Sequence, residues 1–473
     1  METVLFWRSI RPVTFAGRRF HYVALILAAQ AICSPSLLAA QYYVAKTGSN
    51  SNPGTETEPW LTIQKAADEM VAGDTVHVAT GTYDEYVVTK TSGLPGNPIV
   101  FDGGQGSVMG GFSLRHGYIT IQGFEMNAFG ATEGAAIAAH LTAHDCVIRS
   151  NVFDNTPAST GQVKLFHGDW GNRPIHFTVH GNRFLHSQYF GLSLQGKGHS
   201  VTANYFTSPH GGDAIYLNAS ETLVKGNTFE HWSRPPGSTL HTDLIQSFSN
   251  NGEISRDNLI LGNLAKDCVG TQIGIVSDDG YEGRVTRWTW CNNIFANVEA
   301  AIQMSAPDMH FFNNVFYRGG RNTGAPILFR QTSNGGGSGH NGKVFNNIFF
   351  ECGSNPSADW QGWWSVDAGL TGFEADHNLV IGTGQGTAKI GFNQPNGING
   401  IDPEFVDAAG FDFRLKATSP CIGAAVSLNN VFTTDFAETI RGGVWDIGAF
   451  EFEPGQIMDR TPPSAPESVE VLP

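Results

Sequence analysis

Charged residues are scarce in this chain of 473 residues, at 15% against about a quarter in typical soluble proteins. Lys and Arg together number 28 and Asp and Glu 43, which leaves a formal net charge of −15. This excess of acidic groups argues against nucleic acid as a partner. It also gives no general attraction for a polyanionic substrate, so a site for one must be locally basic.

Cysteine is also rare, and its number is informative. The chain has six cysteines, and Cys33 lies in an N-terminal segment that we expect to be removed. The five that remain cannot form a complete disulfide framework, and none has zinc-site spacing to another cysteine or to a histidine. We therefore expect these cysteines to be buried and to pack as small apolar side chains.

Long apolar runs are absent after the N-terminus. There, a basic region ending at Arg18 and Arg19 precedes an apolar stretch that begins at Tyr22, and small residues follow near Ala40. This order is typical of a secretory signal peptide, and the apolar stretch is shorter than the ~20 residues of a membrane span. We predict that residues 1–40 are a signal peptide and that the mature protein is periplasmic or extracellular, with no membrane span.

A repeat dominates the rest of the chain, in which Asn is followed two residues later by a large apolar residue. The step from Asn182 to Asn204 is 22 residues, and several other steps are longer. A base period of this length with insertions is typical of a solenoid whose coils carry loops. The repeat occurs at Asn151, Asn182, Asn204, Asn227, Asn258, Asn293, Asn314, Asn347 and Asn378.

Each repeat alternates apolar and polar residues with period two, which indicates strands rather than helical repeats. A coil of this length holds three short strands and three turns, and stacked coils form parallel sheets. We expect the Asn to occupy a left-handed turn position and to hydrogen-bond along the axis. Phe206 and Phe229 should stack inside adjacent coils, and Ile215, Ile245 and Ile273 should form one inward stack.

A second strand recurs between these Asn positions, as in Ile215-Tyr-Leu217. Its apolar residues should point inward and the residues between them outward. The predicted outward stripe contains Lys164, Ser193, Tyr216, Gln246, Gly274 and Gln303, flanked by Gln162, Gln195, Asn218 and Gln272. A solvated face normally carries Lys and Glu, whereas amides and aromatic rings suit sugars. We therefore predict a carbohydrate-binding groove here rather than an ordinary surface.

The two ends of the repeat region carry segments that resemble a known family. Near the N-terminus these are Tyr42-Tyr-Val-Ala-Lys-Thr-Gly48 and Pro59-Trp-Leu-Thr-Ile-Gln-Lys-Ala-Ala67. Near the C-terminus they are Asp402-Pro-Glu-Phe405 and Asp446-Ile-Gly-Ala-Phe-Glu451. With the Asn repeats, residues 42–452 resemble secreted pectate-lyase-like proteins, which include polysaccharide lyases and some glycoside hydrolases.

The resemblance implies an all-β fold, a right-handed parallel β-helix over residues 42–452. A short amphipathic helix, Thr62–Met70, should plug its first coil, and residues 402–452 should close its end. The Pro-rich residues 453–473 are predicted to be a linker or tail, or the start of a truncated fibronectin type III module. The shared segments are structural, so they identify no single enzyme family. We expect a monomer that acts on a polysaccharide.

Loops should gather along one edge of the groove and shape the site. The longest insertions are residues 231–240, 277–289 and 332–343. Asp213 and Asp243 each precede an Ile by two residues, which predicts neighbours on adjacent coils about 5 Å apart. That separation suits a retaining glycosidase pair or a shared calcium ion, the one cofactor we consider. In the alternative, both carboxylates cap turns by accepting hydrogen bonds from backbone amides.

A lyase that acts on a uronic acid must neutralise the carboxylate, remove the neighbouring C–H proton and protonate the leaving oxygen. Lys164 is a candidate base if its pKa is lowered, and His241 or Tyr216 could act as base or acid. We expect Lys164, His241, Asp213 and Asp243 to converge. Substrate contacts are predicted for Gln246, Gln303, Gln195, Asn218, Gln272, Arg234 and His210.

Three functions therefore stay open. A secreted polysaccharide lyase that cleaves a uronic-acid glycan by β-elimination is favoured. The alternatives are a glycoside hydrolase that uses the paired aspartates and a non-catalytic carbohydrate-binding or cell-surface protein.

Overall fold

The computed structural model describes residues 39–154, 156–157, 160–166, 173–234, 237, 242–248, 254–278, 283–331, 339–353, 364–381 and 394–454. The predicted signal peptide, apart from its last two residues, and most of the predicted tail lie outside these ranges. No helix within them is long and apolar enough to cross a membrane.

The chain forms a right-handed parallel β-helix, as predicted. In each coil it passes through three strands, which belong to sheets that we call A, B and C, and each strand pairs in parallel with its equivalents in the coils before and after. The strand Thr178–His180, for example, lies between Val147–Arg149 and Ser200–Thr202. Stacking of this kind buries a continuous apolar core along the helix axis.

The strands of the three sheets follow one another in the order A, B, C along the chain. Sheet A contains Gln41–Val44, Thr75–Val78, the starts of Ile99–Leu114 and Ile119–Met126, Val147–Arg149, Thr178–His180, Ser200–Thr202, Leu223–Lys225, Leu259–Leu261, Trp288–Cys291, Met309–Phe312, Lys343–Phe345 and Glu374–Asp376. Sheet B contains the start of Gly81–Val88, the middle of Ile99–Leu114, the end of Ile119–Met126, Val152–Phe153, Arg183–Leu185, Tyr205–Thr207, Thr228–Glu230, Leu264–Lys266, Ile294–Ala296, Val315–Tyr317, Ile348–Phe350, Leu379–Ile381 and Ile398–Asn399. Sheet C contains the ends of Gly81–Val88 and Ile99–Leu114, then Ala135–Ala139, Gly161–Leu165, Leu192–Lys197, Ile215–Ser220, Asp243–Phe248, Gln272–Ser277, Ala300–Ser305, Ile327–Phe329 and Trp364–Val366.

Four shorter strands and two helical segments complete the described structure. Ser255–Arg256 pairs with Val285–Thr286, and Phe405–Asp407 pairs antiparallel with Asp412–Leu415 beside the 3-10 turn Ala408–Gly410. The predicted capping helix is present as Ile63–Glu69. It begins after Thr62, whose hydroxyl accepts the N–H of Lys65 at 3.2 Å.

A ladder of asparagine side chains runs through the turns between sheets A and B. The Nδ2 of Asn182 donates to the Oδ1 of Asn204 at 3.0 Å, and the same bond recurs from Asn151 to Asn378. The predicted axial bonding is therefore confirmed. The predicted left-handed Asn is wrong, because the residue before it takes that conformation, as Ala203 does with φ 54°. Asn258 is not in the ladder, and Asn263 occupies that coil.

Aromatic rings stack inside the coils beneath this ladder. Phe206 lies 4.5 Å from Phe184 and 4.9 Å from Phe229 between ring centroids, so the predicted stack is confirmed. Ile215 also pairs with Ile245 as expected, but the next partner is Gly274 rather than Ile273. A Cβ on that glycine would lie 2.1 Å from the carbonyl oxygen of Ile245, so only glycine allows this close approach.

The C-terminal segment, residues 402–452, does more than close the end of the helix. Phe413 and Ile447 pack on outward residues of sheet B, and Phe432 and Trp445 pack on outward residues of sheet A. Arg441 fixes the segment, since its buried Nη2 donates to the Oδ1 of Asn292 at 2.9 Å. These contacts cover parts of the outer faces of sheets A and B.

The five cysteines of the described chain are buried and unpaired, as expected. Burial raises the thiol pKa of Cys146, Cys268, Cys352 and Cys421 to about 12. These groups are therefore neutral and unreactive under ordinary conditions.

Candidate functional site

The outer face of sheet C carries a row of side chains in register from coil to coil. Lys164 lies beside Ser193, which lies beside Tyr216, and Gln246 follows on the next coil. Ile275, rather than the predicted Gly274, continues the row because the register shifts by one residue. The row is polar over its first half and then becomes more apolar.

Turns of variable length border sheet C on both sides. Residues 231–240 precede the strand Asp243–Phe248, whereas residues 277–289 and 332–343 follow strands of sheet C. The predicted gathering of all three insertions on one edge is therefore wrong. Sheet C instead lies between two edges that both carry insertions, and each insertion lies partly outside the described ranges.

A cleft of about 510 Å³ lies at the edge where the chain passes from sheet C to sheet A. Four basic side chains line this basic cleft: Arg173, Lys197, Arg256 and Arg287. Asp257 also lines it and is paired with Arg287 at 2.6 and 2.8 Å, and Glu221 is the other acidic residue. A basic majority at one place in an acidic chain is the local charge that an anionic substrate requires.

The amides beside the basic cleft are held in place by the protein. The Nη1 of Arg173 donates to the Oε1 of Gln195, and Asn218 accepts from the hydroxyl of Ser247 at 3.0 Å. Both amide residues are almost fully buried. Asn218 is therefore a fixed part of the cleft wall and Gln195 a fixed partner of Arg173, although sequence reasoning expected exposed amides.

His199 supports the same wall from beneath. Its Nδ1 accepts the N–H of Phe177 at 3.2 Å, and its Nε2 donates to the carbonyl oxygen of Gln195 at 2.9 Å. Burial lowers the pKa of His199 to about 4. The imidazole is therefore neutral near pH 7, and its tautomer is set by these two bonds.

Lys164 is the predicted base, and its side chain is partly buried on the outer face of sheet C. Burial lowers the pKa of its ammonium group, and the nearby Glu133 partly offsets this effect. Its Nζ lies 4.8 Å from the ring centroid of Phe166. Tyr216 stands two coils away at the equivalent position, which is about 10 Å along the axis.

The two aspartates do not form a substrate-facing pair. The Oδ1 of Asp213 accepts the backbone N–H of Asp243 at 3.0 Å, which is the turn-capping alternative. Asp243 is fully buried, and its Oδ2 accepts from the Nε2 of Gln246 at 2.6 Å. Lys164 lies three coils from Gln246, so the expected convergence of Lys164 with the aspartates is not found.

The described residues do not provide a calcium site at this place. No group of three or more His, Cys, Asp or Glu side chains among them could hold a metal ion. Asp213 and Asp243 already accept protein hydrogen bonds.

The other residues that were predicted to contact the substrate do not lie together. Gln303 donates to the Oε1 of Gln272 at 2.5 Å. Gln272 begins the strand that leads to Arg287, and Gln303 lies on the next coil, so neither is in the cleft lining. His210 and Arg234 are exposed on turns that precede sheet C, on the edge opposite Lys197. His241 lies outside the described residues.

Sequence reasoning missed the arginines of the basic cleft. Arg173, Arg256 and Arg287 lie in connections from sheet C to sheet A that differ in length, and Arg256 belongs to the short strand Ser255–Arg256, so no fixed spacing relates them. The available signal was scarcity: with only 28 Lys and Arg in the chain, basic residues that recur in the connections between sheets C and A are informative.

Comparison with known proteins finds similar sequences only over a short segment near the N-terminus. Residues 46–90 match a family described as a protein of unknown function, DUF1565. The uncharacterized protein YwoF of Bacillus subtilis is 42% identical over 59 residues, which are 12% of this chain and 13% of that protein.

Solved structures match over a much larger share of the chain. XylC in complex with xylose aligns over 87% of this chain and 98% of its own, with 13% identity and a TM-score of 0.57. The alginate lyase AlyGC aligns over 86% of this chain and 57% of its own, with 15% identity and a TM-score of 0.51. The chain thus has the pectate-lyase-like right-handed parallel β-helix fold.

Proposed function

We propose that this protein is a secreted polysaccharide lyase that cleaves a uronic-acid glycan by β-elimination on the outer face of sheet C. The observation that carries the proposal is the basic cleft, where Arg173, Lys197 and Arg256 meet in a chain of net charge −15. Guanidinium and ammonium groups at such a place neutralise a carboxylate and so favour loss of the neighbouring proton.

The proposed roles follow from position and charge. Arg173 and Arg256 bind the uronate carboxylate, because guanidinium groups stay protonated and pair well with carboxylates. Lys164 removes the C–H proton next to that carboxylate, since burial lowers its pKa and leaves more of the neutral amine. The phenol of Tyr216, on the same row, donates the proton to the leaving oxygen.

The structural neighbours agree with a carbohydrate substrate but differ in its charge. AlyGC is named as an alginate lyase, and XylC is bound to xylose, a neutral sugar. The basic cleft favours the acidic class for this chain. The hydrolase alternative finds less support, because buried Asp243 cannot contact a glycan on the outer face.

The test is a panel of glycans assayed for two products. Polygalacturonate, alginate and an acidic xylan are incubated with the protein, and neutral xylan is the control. We expect ultraviolet absorbance of unsaturated uronides from at least one acidic glycan, and loss of that signal in Lys164→Met. New reducing ends without this absorbance would indicate a hydrolase, and binding without products would indicate a non-catalytic protein.

A further inference from the structure

Part of the outer face of sheet C is closed to solvent on the coils just before Lys164. Ser113 and Ala138 are in register on two consecutive coils, and Ala138 is in turn in register with Lys164. Ser113, Ala136 and Ala138 all point outward, yet all three are fully buried. Other side chains therefore cover this part of the face.

Glu133 is the central residue of this cover. It lies just before the strand Ala135–Ala139, and its Oε1 accepts from the hydroxyl of Ser113 at 3.0 Å. The same oxygen contacts His140, which directly follows that strand, at 2.9 Å, and Arg115 at 3.3 Å. A bridge between side chains from the two ends of the strand therefore crosses the outer face of sheet C.

Tyr86 extends the cover to the preceding coil. Its hydroxyl donates to the carbonyl oxygen of Ala135 at 3.1 Å. Tyr86 is in register with Gly111, which lies on the coil between Tyr86 and Ala135. Because glycine has no side chain, the tyrosine ring can cross that coil. We call the covering residues the plug, and they are Tyr86, Arg115, Glu133 and His140.

The carboxylate at the centre of the plug is packed and charged. Only 9% of the Glu133 side chain is exposed. Burial raises the pKa of Glu133, but hydrogen bonds from His140 and Ser113 outweigh this effect, so the pKa lies below its usual value. The group is therefore ionised at neutral pH and holds its donors by charge-assisted hydrogen bonds. A glycan could displace it only at the cost of these bonds.

We propose that the plug closes one end of the substrate path, so that the protein removes short products from one end of a glycan rather than cleaving inside it. This inference rests on the proposed function and adds the position of cleavage. Ala138 is one coil from Lys164, which is about 4.8 Å and close to the length of one sugar. On the other side of Lys164 the row continues through Ser193 and Tyr216, and the basic cleft lies on that side. About one sugar therefore fits between Lys164 and the plug, and the rest of the chain extends the other way.

The bond changes are those of the proposed elimination. The proton next to the carboxylate passes to Lys164, and the bond to the leaving oxygen breaks with its electron pair on that oxygen. The leaving oxygen takes a proton from Tyr216, and a carbon–carbon double bond forms in the sugar, so no co-reactant is needed. The plug determines only which bond of the glycan reaches Lys164.

The experiment measures product lengths early in the reaction. A chain of about ten uronates, taken from the acidic glycan that gives unsaturated products, is incubated with the protein, and the products are separated by anion-exchange chromatography. The wild type should release unsaturated products of about one or two sugars and leave the remaining chains near full length. Glu133→Ala opens the plug and should shift the unsaturated products to about three sugars or more.

Two controls isolate the effect of the cover. Glu133→Gln keeps the side-chain length and an acceptor oxygen, so it should retain the wild-type product lengths. It removes the charge by which Glu133 raises the pKa of Lys164, and that change affects rate rather than product length. Glu125→Ala replaces an exposed glutamate on the outer face of sheet B in the same coil and should match the wild type. Thermal unfolding checks that each variant is folded.

The outcomes separate this inference from the proposed function. Intermediate lengths from the wild type at the start of the reaction would overturn chain-end action and leave the lyase proposal intact, even where Glu133→Ala fails to fold. Short products from a folded Glu133→Ala protein would overturn the role of the plug. No unsaturated product from any glycan would overturn the proposed function and this inference with it.

Discussion

Two turns of the same coil contrast sharply. The turn between sheets A and B repeats one arrangement from Asn151 to Asn378, with each asparagine bonded to the next. The turn between sheets C and A varies in length and carries the basic cleft. The first turn specifies the stacking of the coils. The second is free to vary in length and sequence, so it can hold binding or catalytic residues.

The physical reason lies in hydrogen bonding. In the uniform turn, Asn204 accepts from the N–H and Nδ2 of Asn182 and donates to Asn227 and to the carbonyl oxygen of Val179. A change of residue there leaves several buried groups unsatisfied. At the basic cleft the charged groups face solvent, so their replacement alters binding more than folding.

The largest expected loss of stability is for a substitution in the asparagine ladder. Asn204→Ala removes four hydrogen bonds inside the stack and should lower the free energy of unfolding by about 4–8 kcal/mol, measured by urea denaturation. The control is Thr202→Ala in the same coil. Thr202 lies on the outer face of sheet A, so this substitution should change the free energy of unfolding by less than about 0.5 kcal/mol. Similar losses for both would mean that the ladder has no special role.

The second largest expected loss of stability is for a substitution in the stack of phenylalanine rings. Phe206→Ala leaves a cavity between Phe184 and Phe229 and should cost about 3–5 kcal/mol in the same measurement. Tyr205→Ala, on the outer face of the same strand, should cost about 1 kcal/mol. A loss below about 1 kcal/mol for the Phe206 variant would show that the register of the coils is wrong.

His199 makes the turn between sheets C and A sensitive to acid. Because its pKa falls from 6.5 to about 4 on folding, its contribution is complete above pH 6.5 and is lost as the pH falls toward 4. The shift corresponds to about 3 kcal/mol. In His199→Gln, whose side chain does not titrate, the free energy of unfolding should depend less on pH over this interval. Parallel curves for both proteins would contradict the burial of a neutral imidazole.

Two glutamines on the outer row of sheet C should respond differently. Gln246→Ala leaves the buried Asp243 without its 2.6 Å donor and should cost about 1–3 kcal/mol. Gln303→Ala removes only a contact with half-buried Gln272 and should cost less than about 1 kcal/mol. Equal effects in thermal unfolding would mean that the bond to Asp243 contributes little.

The repeat of Asn and Phe predicted stacked coils of parallel strands, because period and residue type directly reflect such stacking. The resemblance of the two ends to a known family was needed to predict the right-handed parallel β-helix. It did not predict the shift at Gly274, since that depends on a backbone contact with Ile245. Nor did it predict the burial of Asp243. The basic cleft was hidden for a related reason: connections of unequal length place Arg173 and Arg256 in the lining of one cleft without any regular spacing in sequence.

The most direct test of the account pairs two arginines on different faces. Release of unsaturated uronides from an acidic glycan is measured for the wild type, for Arg256→Ala in the basic cleft and for Arg149→Ala on sheet A, with thermal unfolding as the folding control. We expect at least about a tenfold loss of rate for Arg256→Ala, a wild-type rate for Arg149→Ala, and unchanged unfolding for both. An Arg256→Ala protein that keeps the wild-type rate would contradict the proposed role of the basic cleft.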